Sequence, residues 1–96
     1  MALMNPMVAK NLRANAGDTI SSYLTDALAS GDAAAIADAL GIVARTHGMV
    51  RVARDSGLAR ETLYRSLSAD SDPPLSMVLK TMQALGLRLV AKPAKD

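Results

Sequence analysis

The chain has 96 residues, enough for one small domain and too few for two separate hydrophobic cores. Eleven Lys and Arg residues oppose nine Asp and Glu residues, so the net charge of +2 does not by itself identify a partner. The absence of Cys and the single His exclude disulfides, thiolate metal sites and polyhistidine metal sites. Because Phe and Trp are absent, the core must consist mainly of Ala, Leu, Ile, Val and Met.

The N-terminal stretch has neither a membrane-spanning nor a signal-peptide pattern. No apolar run approaches the roughly 18–20 residues that cross a bilayer. The first seven residues include a proline and contain no basic residue. We therefore expect a cytoplasmic protein with no membrane partner. Residues 1–17 show no hydrophobic period, which predicts a flexible N-terminal arm.

Two amphipathic helices are predicted in the first half of the chain. Apolar residues at three- and four-residue spacing predict a helix over about 19–29, with Asp18 as its N-cap. Asp32 is the predicted N-cap of the second helix, and Gly31 suits a left-handed residue between the two. Gly41, inside the second helix, costs about 1 kcal/mol of helix propensity relative to Ala.

The most informative stretch predicts two short helices, over about 49–55 and 60–68, joined by a turn. Gly57 lies in this turn, where glycine most easily adopts a left-handed backbone conformation. Leu63 and Leu67, one helical turn apart, are predicted to anchor the second of these helices from within. This arrangement is that of a helix-turn-helix motif.

If the two leucines point inward, the polar side chains of the same helix point outward and can reach a DNA major groove. Arg65 is the best candidate for a bidentate contact with guanine, and Arg60 could hold a phosphate. Glu61 would repel phosphate, so it is expected to orient an arginine or to accept a hydrogen bond from cytosine. The predicted DNA-contact residues are Arg54, Arg60, Glu61, Thr62, Tyr64, Arg65 and Ser68.

The end of the chain predicts a loop over 69–74, one more helix and a short strand. Pro74 suits the first turn of that helix. Its predicted apolar stripe consists of Leu75, Val78, Leu79, Met82 and Leu85. Residues 87–93 alternate in part like a strand, and a single strand cannot pair its own backbone groups. This segment is either a frayed tail or pairs antiparallel with a second chain.

Other interpretations of the motif remain open. Helical domains that never contact DNA also combine a small residue, a glycine and spaced leucines, so the motif could serve packing alone in an interaction module. Tyr64 could be a half-buried packing residue, and Arg45 and Arg51 could form a solvated face. No catalytic set of side chains and no phosphate-binding loop is present in a credible context, so we expect neither an enzyme nor a cofactor.

The sequence resembles the addiction-module antidote proteins, the antitoxins. The likeness spans about residues 18–90, and its most specific parts are Tyr-Leu-x-x-Ala-Leu followed by Gly-Asp at 23–32, and Arg-Glu-x-Leu-Tyr at 60–64. The resemblance implies a HigA-like antitoxin with a Cro/C1-type helix-turn-helix, which binds a RelE/ParE-like toxin and represses its own operon. Ala59 departs from the family pattern, because a Ser often caps the DNA-reading helix at that position.

Residues and resemblance together predict an all-α, lambda-repressor-like domain of five or six helices over 18–96, with the motif at 49–68. The expected partners are double-stranded operator DNA, a toxin protein and a second copy of the chain. The toxin is expected on the N-terminal half, because residues 1–44 carry a net charge of −2 and such toxins tend to be basic. The alternative is a prophage-type transcriptional repressor that has no toxin partner.

Overall fold

The structure is a computed structural model that describes residues 16–94, with side chains from residue 19 onward. Within this part the chain forms five α-helices and no strand, so the prediction of an all-α chain of five or six helices is confirmed there. The helices are α1 (Ala16–Ala29), α2 (Ala33–His47), α3 (Met49–Ser56), α4 (Arg60–Ser66) and α5 (Leu75–Ala84). The predicted arm lies outside the described residues except for residues 16 and 17, which belong to α1.

The junction between α1 and α2 follows local rules. Asp32 is the N-cap of α2, and its side chain accepts a hydrogen bond of 3.1 Å from the backbone N–H of Ala34. Gly31 has a φ of 70°, the predicted left-handed conformation. The prediction of Asp18 as an N-cap is wrong, because Asp18 lies inside α1. Ala16, a strong helix former, already belongs to that helix.

The core is aliphatic, as the composition predicts. Helix α2 packs against α1, α3 and α4, while α5 packs against α3. Thr81 is the one buried polar side chain among the described residues, and its Oγ1 donates a hydrogen bond of 2.8 Å to the carbonyl oxygen of Met77. The largest buried apolar side chains of the core cluster are Leu24, Leu40, Val43, Met49, Val52, Leu63, Leu67, Val78 and Met82.

Helix α5 is rotated relative to its predicted apolar stripe. Its buried residues are Met77, Val78, Thr81 and Met82. Leu75 and Leu79, predicted to face the core, are 65% and 38% exposed, so the prediction is wrong for these two residues. The helix begins at Leu75, and Pro74 occupies the N-cap position instead of the first turn.

The C-terminal segment forms no strand within a single chain. Leu87 donates its backbone N–H to the carbonyl oxygen of Met82, 2.9 Å away. Residues 88–94 make no backbone hydrogen bond with the described part of the chain. No strand formed by residues 16–94 lies beside them, which is the physical reason why the predicted strand is not formed within this part of the chain.

Candidate nucleic-acid interface

The turn between α3 and α4 has the geometry that its glycine predicts. Gly57 has a φ of 76° and donates its N–H to the carbonyl oxygen of Ala53, which ends α3 in a left-handed residue. The hydroxyl of Ser56 accepts a hydrogen bond of 3.2 Å from the N–H of Leu58. Leu58 is half-buried against the core cluster. The turn is thus closed by its own hydrogen bonds and anchored by one apolar side chain.

Helix α4 has one buried side and one open side. Leu63 is fully buried, and so is Leu67, which follows the helix as its C-cap residue. The predicted inward orientation of the two leucines is therefore confirmed. The side chains that remain exposed on the open side are Arg60, Glu61, Tyr64 and Arg65.

The exposed side chains of α4 can be touched together by one ligand. Residues three or four positions apart share a helix face, which places Glu61 beside Tyr64 and Arg65, and Arg60 beside Tyr64. Tyr64 is 46% exposed and therefore is not the half-buried packing residue that one interpretation suggested. Thr62 is half-buried at the edge of this surface.

Ser68 lies in a turn and not in the predicted helix, because α4 ends at Ser66. Its hydroxyl lies 2.8 Å from the hydroxyl of Ser71. The Ser71 hydroxyl donates a hydrogen bond of 2.9 Å to the carbonyl oxygen of Arg65. The serine pair therefore satisfies a carbonyl in the last turn of α4, which leaves the Ser68 side chain half-buried and already engaged.

Arg54 lies on α3 and is paired with its neighbour. Its Nε donates a hydrogen bond of 3.0 Å to Oδ1 of Asp55, the one ion pair within 4.0 Å among residues 19–94. This hydrogen bond lowers the pKa of the Asp55 carboxyl below its ordinary value. It also raises the pKa of the Arg54 guanidinium. Both side chains are well exposed, so the arginine lies at the surface of α3.

A model of the family described as "Probable addiction module antidote protein" matches residues 5–93 of the chain. The chain belongs to this family. It is 39% identical over 71 residues to a protein of Haemophilus influenzae (strain Rd) that is named only as an uncharacterized protein. That match covers 74% of this chain and 73% of its relative. No solved structure matches the chain.

The antidote family description indicates a regulatory protein that has a toxin partner. In this antidote-family chain, charge is distributed unevenly between the helices. Residues 16–44 contain four Asp and no Lys or Arg, whereas α3 and α4 contain Arg51, Arg54, Arg60 and Arg65 against Asp55 and Glu61. The open side of α4 thus belongs to the basic part of the molecule, and α1 with most of α2 forms the acidic part.

Two residues that support the α4 surface in this chain were not predicted. A Cβ atom built on Gly41 of α2 would collide with the carbonyl oxygen of Leu67, so the end of α4 lies directly on the α2 backbone. Ser71 holds the Arg65 carbonyl. A glycine in the middle of an amphipathic helix is a signal of close approach that could have identified Gly41. The link from Ser71 to Arg65 spans six residues, and no local sequence rule predicts it.

Two other kinds of feature are absent from the described part of this antidote-family chain. None of the helices in residues 16–94 combines the length and the apolar character needed to cross a bilayer. The same part of the chain brings together no group of three or more His, Cys, Asp or Glu side chains that could hold a metal ion. The surface of α4 is the candidate site on which the predicted residues Arg60, Glu61, Tyr64 and Arg65 lie exposed together.

Proposed function

We propose that this chain is the antitoxin of a type II toxin–antitoxin module and acts in the cytoplasm. It neutralises a RelE/ParE-like toxin by direct binding, and it represses its own operon by binding operator DNA through a helix-turn-helix formed by α3 and α4. The antidote family match supports the toxin partner in general. The toxin class and the operator rest on the resemblance and on the α4 surface.

One observation carries the DNA-binding part of the proposal: α4 is held from one side only. Leu63 and Leu67 are fully buried, while Arg60, Tyr64 and Arg65 on the open side remain accessible. An α-helix with one free side fits the major groove, where Arg can bind guanine with two hydrogen bonds. In this role Arg65 contacts a base, and Arg60 contacts a phosphate.

The other residues of this surface have different roles in the proposed DNA contact. Tyr64 and Thr62 contact base edges or methyl groups from the same helix, and Glu61 selects against phosphate while accepting from cytosine or orienting an arginine. Arg54 contacts the DNA backbone from α3, where its Nε also donates a hydrogen bond to Asp55. Ser68 contributes least, because its hydroxyl is engaged within the chain.

The active species in this proposal is a homodimer. Two copies related by a two-fold axis present two α4 helices to a pseudo-palindromic operator. The centres of the half-sites then lie about 34 Å apart along the duplex, or a multiple of that distance.

The toxin occupies the acidic part of the molecule in this proposal. Asp26 and Asp32 are exposed on and next to α1, in a stretch that contains no basic residue. A basic toxin would be attracted to this side, and the basic side would stay available for DNA. Asp26→Asn combined with Asp32→Asn should weaken toxin binding, with α2 intact because Asn also serves as an N-cap.

The test of the DNA-binding function is a gel-shift experiment with the DNA upstream of the gene for this chain. The expected result is a shifted complex at physiological salt that a scrambled duplex of equal length does not compete away. Equal competition by the scrambled duplex would contradict operator recognition. Such a result would favour an interaction module in which the motif serves packing only.

The test of the antitoxin function is co-expression of the tagged chain with the small protein encoded beside it. The expected result is co-purification of the two proteins and rescue of growth when the neighbouring protein is toxic alone. Operator binding without any such partner would support the alternative, a prophage-type transcriptional repressor.

A further inference from the structure

The C-terminal segment, residues 87–92, has the features of a strand edge that lacks its neighbour. From residue 88 onward its backbone N–H and C=O groups make no backbone hydrogen bond within residues 16–94. Burial alternates along the segment, because Leu87 and Leu89 are half-buried while Arg88 and Val90 are exposed. A period of two residues is that of a β-strand.

Open space borders this segment. A groove of about 520 Å³ runs between α1 and residues 87–92. An apolar depression of about 190 Å³ lies beside Leu89. It is lined by Leu28, Ala33, Ile36, Pro73, Leu75, Val78 and Leu89.

Exposed apolar side chains accompany this edge. Leu75, in the wall of the depression, is 65% exposed, and Val90 is 66% exposed. Leu79 is 38% exposed and lies four residues after Leu75, on the same face of α5. An unpaired strand edge beside an apolar patch is a surface suited to association with another chain.

We propose that this surface binds a second copy of the same chain, with the two C-terminal segments pairing as an antiparallel two-stranded ribbon across a two-fold axis. This deepens the homodimer of the proposed function and rests on it. A second copy supplies both a strand that pairs with the C-terminal segment and an apolar surface that covers the depression. It does so because its own unpaired edge and its own apolar depression match those of the first copy. The interface is therefore self-complementary, as a two-fold contact requires.

The charges of the segment favour a two-fold axis at Leu89 over one at Val90. If the axis, perpendicular to the ribbon, passed residue 90, Arg88 would lie opposite Lys92 of the other copy, and like charges directly opposite are destabilising. That register would also place Pro93, which has no N–H, opposite Leu87. With the axis at Leu89, the two Leu89 residues lie opposite each other and Arg88 lies opposite Val90.

The Leu89 register also matches the burial of the segment. It puts Leu87, Leu89 and Ala91 of both copies on one face of the ribbon, and on this face Leu89 lines the apolar depression. Arg88 and Val90 lie on the other face. A pairing slipped by one residue would turn the leucines of one copy to the opposite face.

Disulfide cross-linking tests the interface and the register together. Because the chain has no cysteine, a single introduced cysteine can only link two copies. Opposite residues of an antiparallel pair have Cα atoms about 4.5–5.5 Å apart, within reach of a disulfide. We expect Leu89→Cys to form a covalent dimer under mild oxidation. The control is Val50→Cys, a single cysteine at an exposed apolar residue of α3 outside the proposed interface. We expect this variant to form no covalent dimer.

The register makes a second, sharper prediction. Arg88→Cys and Val90→Cys should each form little dimer alone, because each residue lies roughly 8 Å from its own copy across the axis. A mixture of the two variants should form the mixed dimer rapidly. Faster cross-linking of Val90→Cys alone than of the mixture would overturn the Leu89 register.

Leu75→Glu serves as a variant that does not alter the ribbon itself. By sedimentation, we expect it to raise the dissociation constant of the dimer about tenfold or more, while Val50→Glu leaves it unchanged. Circular dichroism checks that both variants fold. A chain that is monomeric at all concentrations, or a dimer in which Leu89→Cys cross-links no faster than Val50→Cys, would overturn the proposal. Neither measurement uses DNA or toxin, so these outcomes are separate from failure of the gel-shift or co-expression tests.

Discussion

Gly41 and Leu67 are in direct backbone contact, with the Cα of the glycine facing the carbonyl oxygen of the leucine. This contact joins the middle of α2 to the end of α4. It explains why a residue with poor helix propensity occupies the interior of α2. It also fixes how closely the α4 surface lies against the rest of the domain, because backbone atoms on both sides leave nothing flexible to move away.

Gly41→Ala is therefore expected to destabilise the chain. Helix propensity alone would favour alanine by about 1 kcal/mol, but the new methyl group would collide with the Leu67 carbonyl, and overpacking costs about 1–3 kcal/mol. The measurement is thermal unfolding followed by circular dichroism, together with operator affinity. An increase in Tm would show that α4 moves aside at no cost and would contradict the proposed positioning role.

Arg65→Ala is expected to weaken operator binding by about 1–3 kcal/mol, because it removes the predicted bidentate contact with guanine. The Arg65 side chain is exposed, so Tm and toxin binding should not change. Lys80→Ala is the matched control, since it removes the same charge from an exposed position on α5. Equal losses of affinity in the two variants would assign Arg65 a general electrostatic role only.

Ala59→Ser is expected to stabilise the chain by about 1 kcal/mol. Ala59 is the N-cap of α4, with a β-region backbone and no side-chain hydrogen bond, so a serine there gains a cap without changing the backbone. For a domain of this size, 1 kcal/mol corresponds to about 4–8 °C in Tm. Ala69→Ser, in the exposed turn after α4, should leave Tm unchanged. A neutral or lower Tm for Ala59→Ser would be evidence against this cap geometry.

Asp32→Ala is expected to lower stability by about 1 kcal/mol, because the variant loses the side-chain oxygen that accepts from the Ala34 N–H. Asp32→Asn should be nearly neutral, since asparagine retains a cap oxygen. Chemical denaturation of the two variants compares them directly. If Asn cost as much as Ala, the carboxylate charge and not the cap would be responsible.

Tyr23 gives a prediction for alkaline pH. Partial burial, with a smaller contribution from the nearby Asp38 carboxylate, raises its pKa above the ordinary value of 10.0. The resulting stabilisation is fully present below the pKa of the unfolded chain and is lost as the pH rises through the folded pKa. Ultraviolet titration of Tyr64→Phe, which leaves one tyrosine, should show a midpoint above 10.0.

The matched variant for this titration is Asp38→Asn in the Tyr64→Phe background. It should lower the midpoint only in part, because burial is the larger cause of the shift. A return of the midpoint to 10.0 in this variant would show that the carboxylate, and not burial, is the main cause.

Features that depend on a few neighbouring residues were predictable from the sequence. Asp32 caps the next helix, Gly57 makes the left-handed turn, and Leu63 and Leu67 are buried, because each follows from the chemistry of a local stretch. The open side of α4 follows from the burial of the two leucines by helix geometry alone.

Features set by distant parts of the chain were not predictable in this way. The spacing of Leu75 and Leu79 fits a buried stripe, but the side of α5 that is buried is decided by how α5 packs on α3. Helix α4 ends before Ser68 because Leu67 leaves helical geometry at the core, against Gly41. Asp18 is a good capping residue in a position where the helix has already begun.

Helix α4 is only seven residues long, and it keeps its shape through two leucines on a single side. A peptide of that length would not remain helical in water, so α4 depends on the rest of the chain, through the two buried leucines and the hydrogen bond from Ser71 to the Arg65 carbonyl. The exposed side chains of α4 thus contribute almost nothing to the stability of the fold. Descendants of this sequence can exchange those side chains freely, and so acquire new binding preferences, while inheriting the same scaffold unaltered.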